Sequence, residues 1–367
     1  MRATSLIVGR FPGLLPVRAG VVSSSVKLGL SLCASQHYIR AALDAMPGRE
    51  AEKQQIKPVD TGFHPLQSSA EPTTDRRVTD SIGTWRDGHS SPFGGPGVSA
   101  AVVHSAGDPA SIVAARFVEA RLECIALPDY PGVKPASMDE AYATQEAAIG
   151  LFPDAIIGWK VGMVPPAQQA ALHARRLAGP IFRRNLWTPG LEPTPLPAIV
   201  GGFAAVEAEF VARVAAVDPD QMDWTLDEAT RVVAALHIGV ELAGSPLSTI
   251  NDLGSAVVAS DFGNNGGLVL GSEIEDWAAR LDGIEVETII DGETVGSGTA
   301  GSIPAGVLES VRFLLEHCAR RGRLIAEGTL ISTGAVTGVH QIPVGARSVC
   351  AFSGVGEIHC LVVAAGT

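Results

Sequence analysis

The sequence predicts a mixed α+β fold, and three observations support this prediction. Strand-like segments outnumber helical ones, the two kinds do not alternate strictly, and no internal repeat is visible. Of the 367 residues, 46% are hydrophobic and 41 are glycine, which is typical of a well-filled core with many tight turns. This length allows one large domain with an appendage, or two domains.

Residues 1–105 differ in composition from the rest of the chain. The first 43 residues contain five Lys or Arg, many serines and no acidic residue. This composition is typical of an organelle-targeting peptide, and a start codon assigned too far upstream explains it equally well. Residues 47–96 are rich in Pro, Gly, Ser, Thr and Gln without sustained periodicity, which predicts a mobile segment. We therefore expect a leader and low-order extension over residues 1–105 and a catalytic domain over residues 106–367.

Charge and cysteine content restrict the partners and the compartment. The net charge is −12, and residues 1–105 carry 11 Lys/Arg against 8 Asp/Glu, which leaves 16 against 31 for the rest. An acidic main body disfavours nucleic acid as a partner. The five cysteines form no Cys-x-x-Cys pair, so neither a disulfide framework nor a thiolate zinc site is expected. We expect a reducing, cytoplasmic location, with organelle targeting through residues 1–40 as the alternative, and no membrane span.

Local signals predict the elements in the first half of the catalytic domain. A capping box, Ser137-Met-Asp-Glu140, begins a helix over residues 138–151. The other elements expected here are a helix over 110–127, a strand over 155–161, a helix over 167–177 and a proline-rich loop reaching 197.

The second half begins with a long strand over residues 203–214. A second capping box, Thr225-Leu-Asp-Glu228, begins a helix that is predicted to end at His237. The remaining elements expected are strands over 238–242, 255–260 and 268–270, a hairpin over 284–290 and 294–297, an amphipathic helix over 304–321, and strands and turns over 329–364.

The predicted strand over 203–214 contains two glutamates one residue apart, Glu207 and Glu209, among apolar residues. Side chains of a strand alternate between two faces, so both carboxylates point the same way. Burying such a pair costs several kcal/mol per ion, and a compensating Arg, Lys or divalent metal is therefore expected. Oxygen ligands suit Mg²⁺, Mn²⁺ or Ca²⁺ better than zinc. The same spacing also occurs on the solvated face of an edge strand.

Two further residues are candidates for the same site. Glu241 lies in the apolar segment Gly239-Val-Glu-Leu-Ala243, where three carboxylates together would supply half of an octahedral shell. Taken alone, it also fits a structural pair with Arg or Lys. Lys160 is bracketed by Gly158 and Gly162, and it fits either a role in proton transfer and carboxylate binding or a lysine that reaches solvent from a strand end.

These segments resemble the 2-keto-4-pentenoate hydratase branch of the fumarylacetoacetate hydrolase superfamily. The resemblance covers roughly residues 108–367 and rests on a collinear series of segments at 140–145 (Glu-Ala-Tyr-Ala-Thr-Gln), 158–162 (Gly-Trp-Lys-Val-Gly), 206–209 (Val-Glu-Ala-Glu), 239–241 (Gly-Val-Glu), 259–271 (Ala-Ser-Asp-Phe-Gly-Asn-Asn-Gly-Gly-Leu-Val-Leu-Gly) and 328–334 (Gly-Thr-Leu-Ile-Ser-Thr-Gly). The resemblance implies a mixed β-roll with flanking helices, commonly assembled as a homo-oligomer. It also implies a substrate among the small 2-oxo acids of aromatic-compound breakdown.

The resemblance further assigns roles to individual residues. It implies that Glu207, Glu209 and Glu241 hold Mg²⁺ or Mn²⁺ and that Lys160 is the active-site lysine. It implies that the substrate is bound by Asp261, Asn264, Thr333 and Gly334. A 2-oxo acid chelates a metal through its carboxylate and keto oxygen, which agrees with this set of residues.

The chain departs from the hydratase pattern at several positions. Arg175, Arg176 and Leu177 stand where an acidic residue is usual, Glu316 replaces an asparagine, and Gly345-Ala346 replaces Gly-Asp. The first change removes an expected proton-transfer partner, and the two arginines could instead neutralise a dicarboxylate substrate.

The leading functional hypothesis is a metal-dependent hydro-lyase that hydrates a 2-hydroxy-dienoate or 2-oxo-enoate to a 4-hydroxy-2-oxo acid. The alternatives are decarboxylation of a 2-oxo-dioate, C–C hydrolysis of an acylpyruvate, or an inactive scaffold of the same fold. Serine-hydrolase and dinucleotide motifs are absent, and no histidines have zinc-ligand spacing.

Overall fold

The fold consists of two β-sheets with flanking helices, and the computed structural model describes residues 107–366 of the chain. The expected leader and low-order extension lie outside the described residues. The domain boundary near residue 105 therefore stays a prediction.

The larger sheet contains eight strands and carries the candidate site. Its strands are β1 (Ile156–Met163), β2 (Arg176–Phe182), β3 (Leu186–Trp187), β5 (Phe203–Val214), β6 (Val233–Ser245), β7 (Asn265–Glu273), β10 (Leu330–Ala335) and β11 (His340–Gln341). They are ordered β2-β1-β10-β5-β6-β7-β3, and β11 pairs with β5. The two long strands β5 and β6 are antiparallel neighbours at the centre of this sheet.

The smaller sheet contains five strands. They are β4 (Thr194–Ala198), β8 (Val286–Ile290), β9 (Glu293–Gly298), β12 (Arg347–Phe352) and β13 (Gly356–Ala364), ordered β4-β13-β12-β8-β9. The main hydrophobic core contains residues of both sheets, such as Phe210 of β5 and Phe352 of β12, whose rings meet edge to face at 5.8 Å. Because this core covers one face of the central strands, few of their side chains reach solvent.

Seven helices surround the sheets in the described part of the chain. They are α1 (Pro109–Glu123), α2 (Met138–Leu151), α3 (Pro166–Leu172), α4 (Leu226–Arg231), α5 (Ser255–Ser260), α6 (Trp277–Arg280) and α7 (Val307–Arg320). Ser137 caps α2, and Thr225 with Glu228 forms the capping box of α4. The apolar face of α7, which includes Val311 and Leu314, packs into the main core. None of these helices is long and apolar enough to cross a membrane.

The predicted α+β fold is confirmed, as are the elements whose signals are local. The helix over 138–151, the strand over 203–214 and the hairpin turned at Asp291-Gly292 all form where the sequence places them. These elements depend on caps, alternation and turn residues, which act over a few positions.

Four predicted elements are wrong. Residues 255–260 form helix α5 rather than a strand, because this short apolar run is covered from several sides and shows no diagnostic period. Helix α3 ends at Leu172, since His173 adopts a left-handed conformation with φ of 49°, and Leu177 lies in β2. The supposed loop reaching 197 contains β2, β3 and β4.

The fourth correction concerns His237, which was expected at a helix end. Helix α4 ends at Arg231, and His237 lies within β6 with its Nδ1 atom 3.3 Å from the carbonyl oxygen of Gly271. The sheet extends through this segment because β6 pairs with β5 along nearly its whole length, and tertiary pairing overrides the local helical signal.

Strand β2 touches the motif loop, residues 261–265, at one closely packed point. A Cβ atom at Gly179 would lie 1.9 Å from the carbonyl oxygen of Phe262, which is backbone and cannot rotate away. The loop itself is unusual, because Phe262, Gly263 and Asn264 all have positive φ, between 54° and 64°. Gly179 therefore allows the loop to rest on the sheet in this conformation.

We predict that Gly179→Ala destabilises the protein by about 1–3 kcal/mol, because the added methyl group has no space without displacing the loop. The matched control is Gly150→Ala in α2, where an added Cβ meets no atom within 4 Å. That substitution should be neutral or slightly stabilising, since alanine has the higher helix propensity. Chemical denaturation of both variants measures the difference, and equal midpoints would contradict the close approach.

Candidate functional site

Strand pairing brings the three predicted acidic residues together. Glu207 of β5 stands directly opposite Glu241 of β6, and Glu209 lies two residues along β5 on the same face. One carboxylate oxygen from each residue lies within 4.8 Å of the others. The residues are 5%, 0% and 0% exposed, which excludes the solvated edge-strand alternative.

Lys160 reaches this cluster from β1. Strand β10 separates β1 from β5, and Lys160 is the register partner of Ser332 on β10. The Lys160 side chain is buried, and its Nζ atom lies 3.5 Å from Oε1 of Glu241. Lys160 is therefore an internal cation of the site rather than a lysine that reaches solvent.

The cluster is electrostatically unbalanced. Burial raises the pKa of Glu207 to about 7, with Lys160 opposing the shift and Glu241 adding to it. Burial together with Glu241 and Glu207 raises the pKa of Glu209 well above its ordinary value. Burial alone would lower the pKa of Lys160, but Glu241, Glu207 and Glu209 outweigh that effect and raise it. With all groups charged, three carboxylates face one ammonium, and the excess equals the charge of one divalent cation.

Hydrogen bonds orient the carboxylates without occupying every oxygen. The Nδ2 group of Asn265 donates to Oε1 of Glu241 at 2.9 Å, and the backbone N–H of Gly334 donates to Oε2 of Glu209 at 3.0 Å. The Ser332 hydroxyl donates to the same Glu209 oxygen. The remaining oxygens, Glu209 Oε1 and Glu241 Oε2, are buried without a hydrogen-bond partner. Unpartnered carboxylate oxygens that converge in this way fit a hard divalent cation such as Mg²⁺, Mn²⁺ or Ca²⁺.

A cavity of about 470 Å³ opens beside the cluster. Lys160 and Glu207 lie in its wall, and they are the titratable lining residues in the described part of the chain. Asn264 and Gly334, which the sequence assigned to substrate binding, also line it. The Oδ1 atom of Asn264 is buried without a hydrogen-bond partner, so it offers an acceptor at this wall.

The structure does not bring the other two predicted substrate residues to the cavity wall. The Asp261 carboxylate is bound by the guanidinium of Arg121, at 2.7 and 2.9 Å, and by the Ser245 hydroxyl at 2.6 Å. The Thr333 hydroxyl donates to the carbonyl oxygen of Phe210 at 2.8 Å. Both side chains bond to other parts of the protein and stabilise the loop and the sheet.

The structure shows the contacts of the residues that depart from the hydratase pattern. Leu177 lines the cavity, so an apolar side chain stands where an acidic one was expected. Arg176 does not reach the cavity: its guanidinium donates to the Pro304 carbonyl oxygen and to the Ser310 hydroxyl. Glu316 binds Arg312 on α7 at 2.7 Å. The suggestion that Arg176 neutralises a substrate dicarboxylate is therefore wrong.

Sequence reasoning missed three supporting residues. Asn265 contacts Glu241, Ser332 contacts Glu209, and Arg121 of α1 binds Asp261 together with the backbone carbonyls of Gly244 and Asn265. Asn265 and Ser332 lie within the segments that carry the resemblance, so that signal was present. No signal in the sequence connects Arg121 to a loop about 140 positions away.

Comparison with solved structures shows which proteins this chain resembles. 4-Oxalocrotonate decarboxylase from Pseudomonas putida G7, complexed with calcium and acetate, aligns with a TM-score of 0.58 and 19% identity over 69% of this chain and 97% of that chain. The same enzyme complexed with magnesium and adipate aligns with a TM-score of 0.56 over the same shares, 69% and 97%. Fumarylpyruvate hydrolase from Pseudomonas aeruginosa, in complex with Mn²⁺ and pyruvate, gives a TM-score of 0.43 at 17% identity over 56% and 88% of the chains.

No protein-family model matches the chain. At 19% identity, the two alignments with TM-scores above 0.5 show a shared fold. The superfamily expected from the motifs stays a prediction. The hydratase branch stays a prediction.

We predict that the cation-free protein loses stability as the pH rises from about 4.5 to 7. The pKa of Glu207 is higher in the folded state, so folding binds protons in this window and is favoured at its lower end. A bound divalent cation should remove the loss, because it balances the carboxylates in place of protons. Thermal unfolding across this window, with EDTA or with Mn²⁺, measures both effects.

The control for this prediction is Glu207→Gln, which removes one of the titrating groups. Its cation-free pH dependence should be shallower than that of the wild type. A wild-type protein that becomes more stable across the window without metal, relative to this variant, would contradict the assignment.

Proposed function

We propose that the protein is a divalent-cation-dependent hydro-lyase that adds water to a 2-hydroxy-dienoate or 2-oxo-enoate and produces a 4-hydroxy-2-oxo acid. The observation that carries the proposal is the convergence of Glu207, Glu209 and Glu241 beside a buried lysine and an open cavity. Three carboxylate ligands suit a divalent cation and leave some of its coordination positions for a chelating substrate.

The three glutamates would hold the cation, and their own charges favour it. When bound, a divalent cation supplies Lewis acidity at the keto oxygen of a 2-oxo acid. One oxygen of Glu209 accepts a hydrogen bond from the backbone N–H of Gly334, and one oxygen of Glu241 accepts a hydrogen bond from the Asn265 amide. These bonds fix the orientation of the two carboxylates. Of the three glutamates, Glu207 is the one that lines the cavity.

Lys160 is the proton-transfer group that this site supplies. Its pKa is raised by the three glutamates, so it is an ammonium at neutral pH and a hydrogen-bond donor. In that form it can bind a substrate carboxylate or give a proton to a carbon next to a stabilised negative charge. Leu177 lines the cavity without any acid–base capacity, and Glu207, the other titratable lining residue in the described part of the chain, is assigned to the cation.

Decarboxylation of a 2-oxo-dioate is the second candidate, and two observations favour it. The chain aligns with 97% of 4-oxalocrotonate decarboxylase, and one structure of that enzyme is complexed with adipate, a dicarboxylate. Loss of carbon dioxide also requires fewer proton-transfer groups than addition of water, which agrees with Leu177 in the cavity wall.

The decisive assay offers 2-hydroxypenta-2,4-dienoate to the purified protein with Mg²⁺ or Mn²⁺ and follows loss of the conjugated chromophore. We expect turnover that EDTA abolishes. A parallel assay with 2-oxohex-3-enedioate detects released carbon dioxide. Chromophore loss without gas supports hydration, gas release supports decarboxylation, and an absence of both reactions and of Mn²⁺ binding supports the inactive scaffold.

We predict that Glu207→Gln abolishes activity and Mn²⁺ binding together, because it removes a charged ligand. Lys160→Met should retain Mn²⁺ but lose at least about 100-fold in kcat, because it removes the proton-transfer group. The matched control is Glu273→Gln on β7, whose carboxylate is 53% exposed and pairs with Arg213 outside the cavity. Calorimetry with Mn²⁺ measures metal binding and steady-state kinetics measure catalysis, so together they separate the role of Glu207 from that of Lys160. Full activity of Lys160→Met would contradict the role of Lys160 in proton transfer.

A further inference from the structure

Resting on the proposed function, we infer that the substrate is a 2-oxo acid with a single carboxylate and an uncharged, mainly apolar tail longer than that of a five-carbon acid. The inference comes from the apolar side chains that line the cavity, here called the far wall and defined by Met163, Leu177, Val258, Ile303 and Val339.

The far wall offers no positive charge. Among the described residues that line the cavity, Lys160 is the cationic one, and it already faces Glu241 at 3.5 Å together with Glu207 and Glu209. One carboxylate of a substrate can share this ammonium and the cation site. A second carboxylate at the other end of the molecule would find no further cationic side chain among the described lining residues.

The nearby arginines do not change this conclusion. Arg176 is 5% exposed, and its guanidinium is directed to the Pro304 carbonyl oxygen, the Ser310 hydroxyl and Glu309. Arg175 is exposed and does not line the cavity. Other polar side chains that line the cavity, such as the Gln168 and Asn251 amides, are neutral, and both amide oxygens accept hydrogen bonds within the protein.

The far wall suits an apolar tail. Met163 and Val339 line the cavity and are 36% and 53% exposed overall, so a tail that covers them would remove apolar surface from water. The cavity volume of about 470 Å³ falls within the range of about 300–1,000 Å³ that is usual for ligand pockets. A five-carbon acid would leave much of this space unfilled, whereas a longer tail reaches the far wall.

Two non-reacting probes of equal chain length test the inference. 2-Oxohexanoate and 2-oxoadipate differ only in the charged end, and both carry the 2-oxo acid group. Calorimetry on the full chain loaded with Mn²⁺ should show 2-oxohexanoate binding at least about tenfold more tightly than 2-oxoadipate, because an unpaired carboxylate is desolvated at the far wall. 2-Oxohexanoate should also bind more tightly than the five-carbon acid 2-oxopentanoate.

The outcomes separate this inference from the proposed function. Equal binding of the two probes, or tighter binding of 2-oxoadipate, overturns the single-carboxylate assignment and leaves the 2-oxo acid site standing. Equal binding of 2-oxohexanoate and 2-oxopentanoate overturns the longer tail. If Mn²⁺ binds and none of the three acids does, the proposed function fails and the inference falls with it.

A charge placed in the far wall provides a second test. Val258→Arg should reverse the preference toward 2-oxoadipate, and the neutral control Val258→Met should keep the preference for 2-oxohexanoate. If Val258→Arg does not fold, Met163→Lys at the more exposed part of the same wall replaces it. A folded variant whose affinity for 2-oxoadipate does not increase overturns the assignment of this wall to the tail.

Discussion

The structure depends on the burial of three carboxylates against a single ammonium. Glu207 and Glu241 face each other across neighbouring strands, an arrangement that is repulsive for like charges. The protein retains it because Lys160, Asn265 and Gly334 satisfy part of the charge and part of the hydrogen bonding. The remaining imbalance is two negative charges, which a divalent cation would offset.

The loop that supports this cluster is held from several directions. Arg121 binds both oxygens of Asp261 and two nearby backbone carbonyls, while the Gln145 amide joins the carbonyls of Ala178 and Ala259. These bonds hold three consecutive residues, 262–264, in left-handed backbone conformations. Such conformations persist only where surrounding contacts determine them, and here they place Asn264 at the cavity and Asn265 on Glu241.

The cavity wall combines charged and apolar side chains. Lys160 and Glu207 are its titratable residues in the described part of the chain, whereas the far wall is apolar. Leu177 belongs to the far wall and stands where an acidic proton-transfer residue was expected. Under the proposed function, this one position therefore bears on both the reaction and the substrate.

The sequence by itself determined the elements with local signals and the identity of the charged cluster. Capping boxes, strand alternation and the Asp291-Gly292 turn act within a few residues, and carboxylates in apolar strands require compensation wherever the strands lie. Only the tertiary structure decided which side chains face the cavity. The Asp261 carboxylate forms an ion pair with Arg121, and the Arg176 guanidinium donates a hydrogen bond to Ser310 of α7. These partners are distant in the sequence, so neighbouring residues in the chain do not predict them.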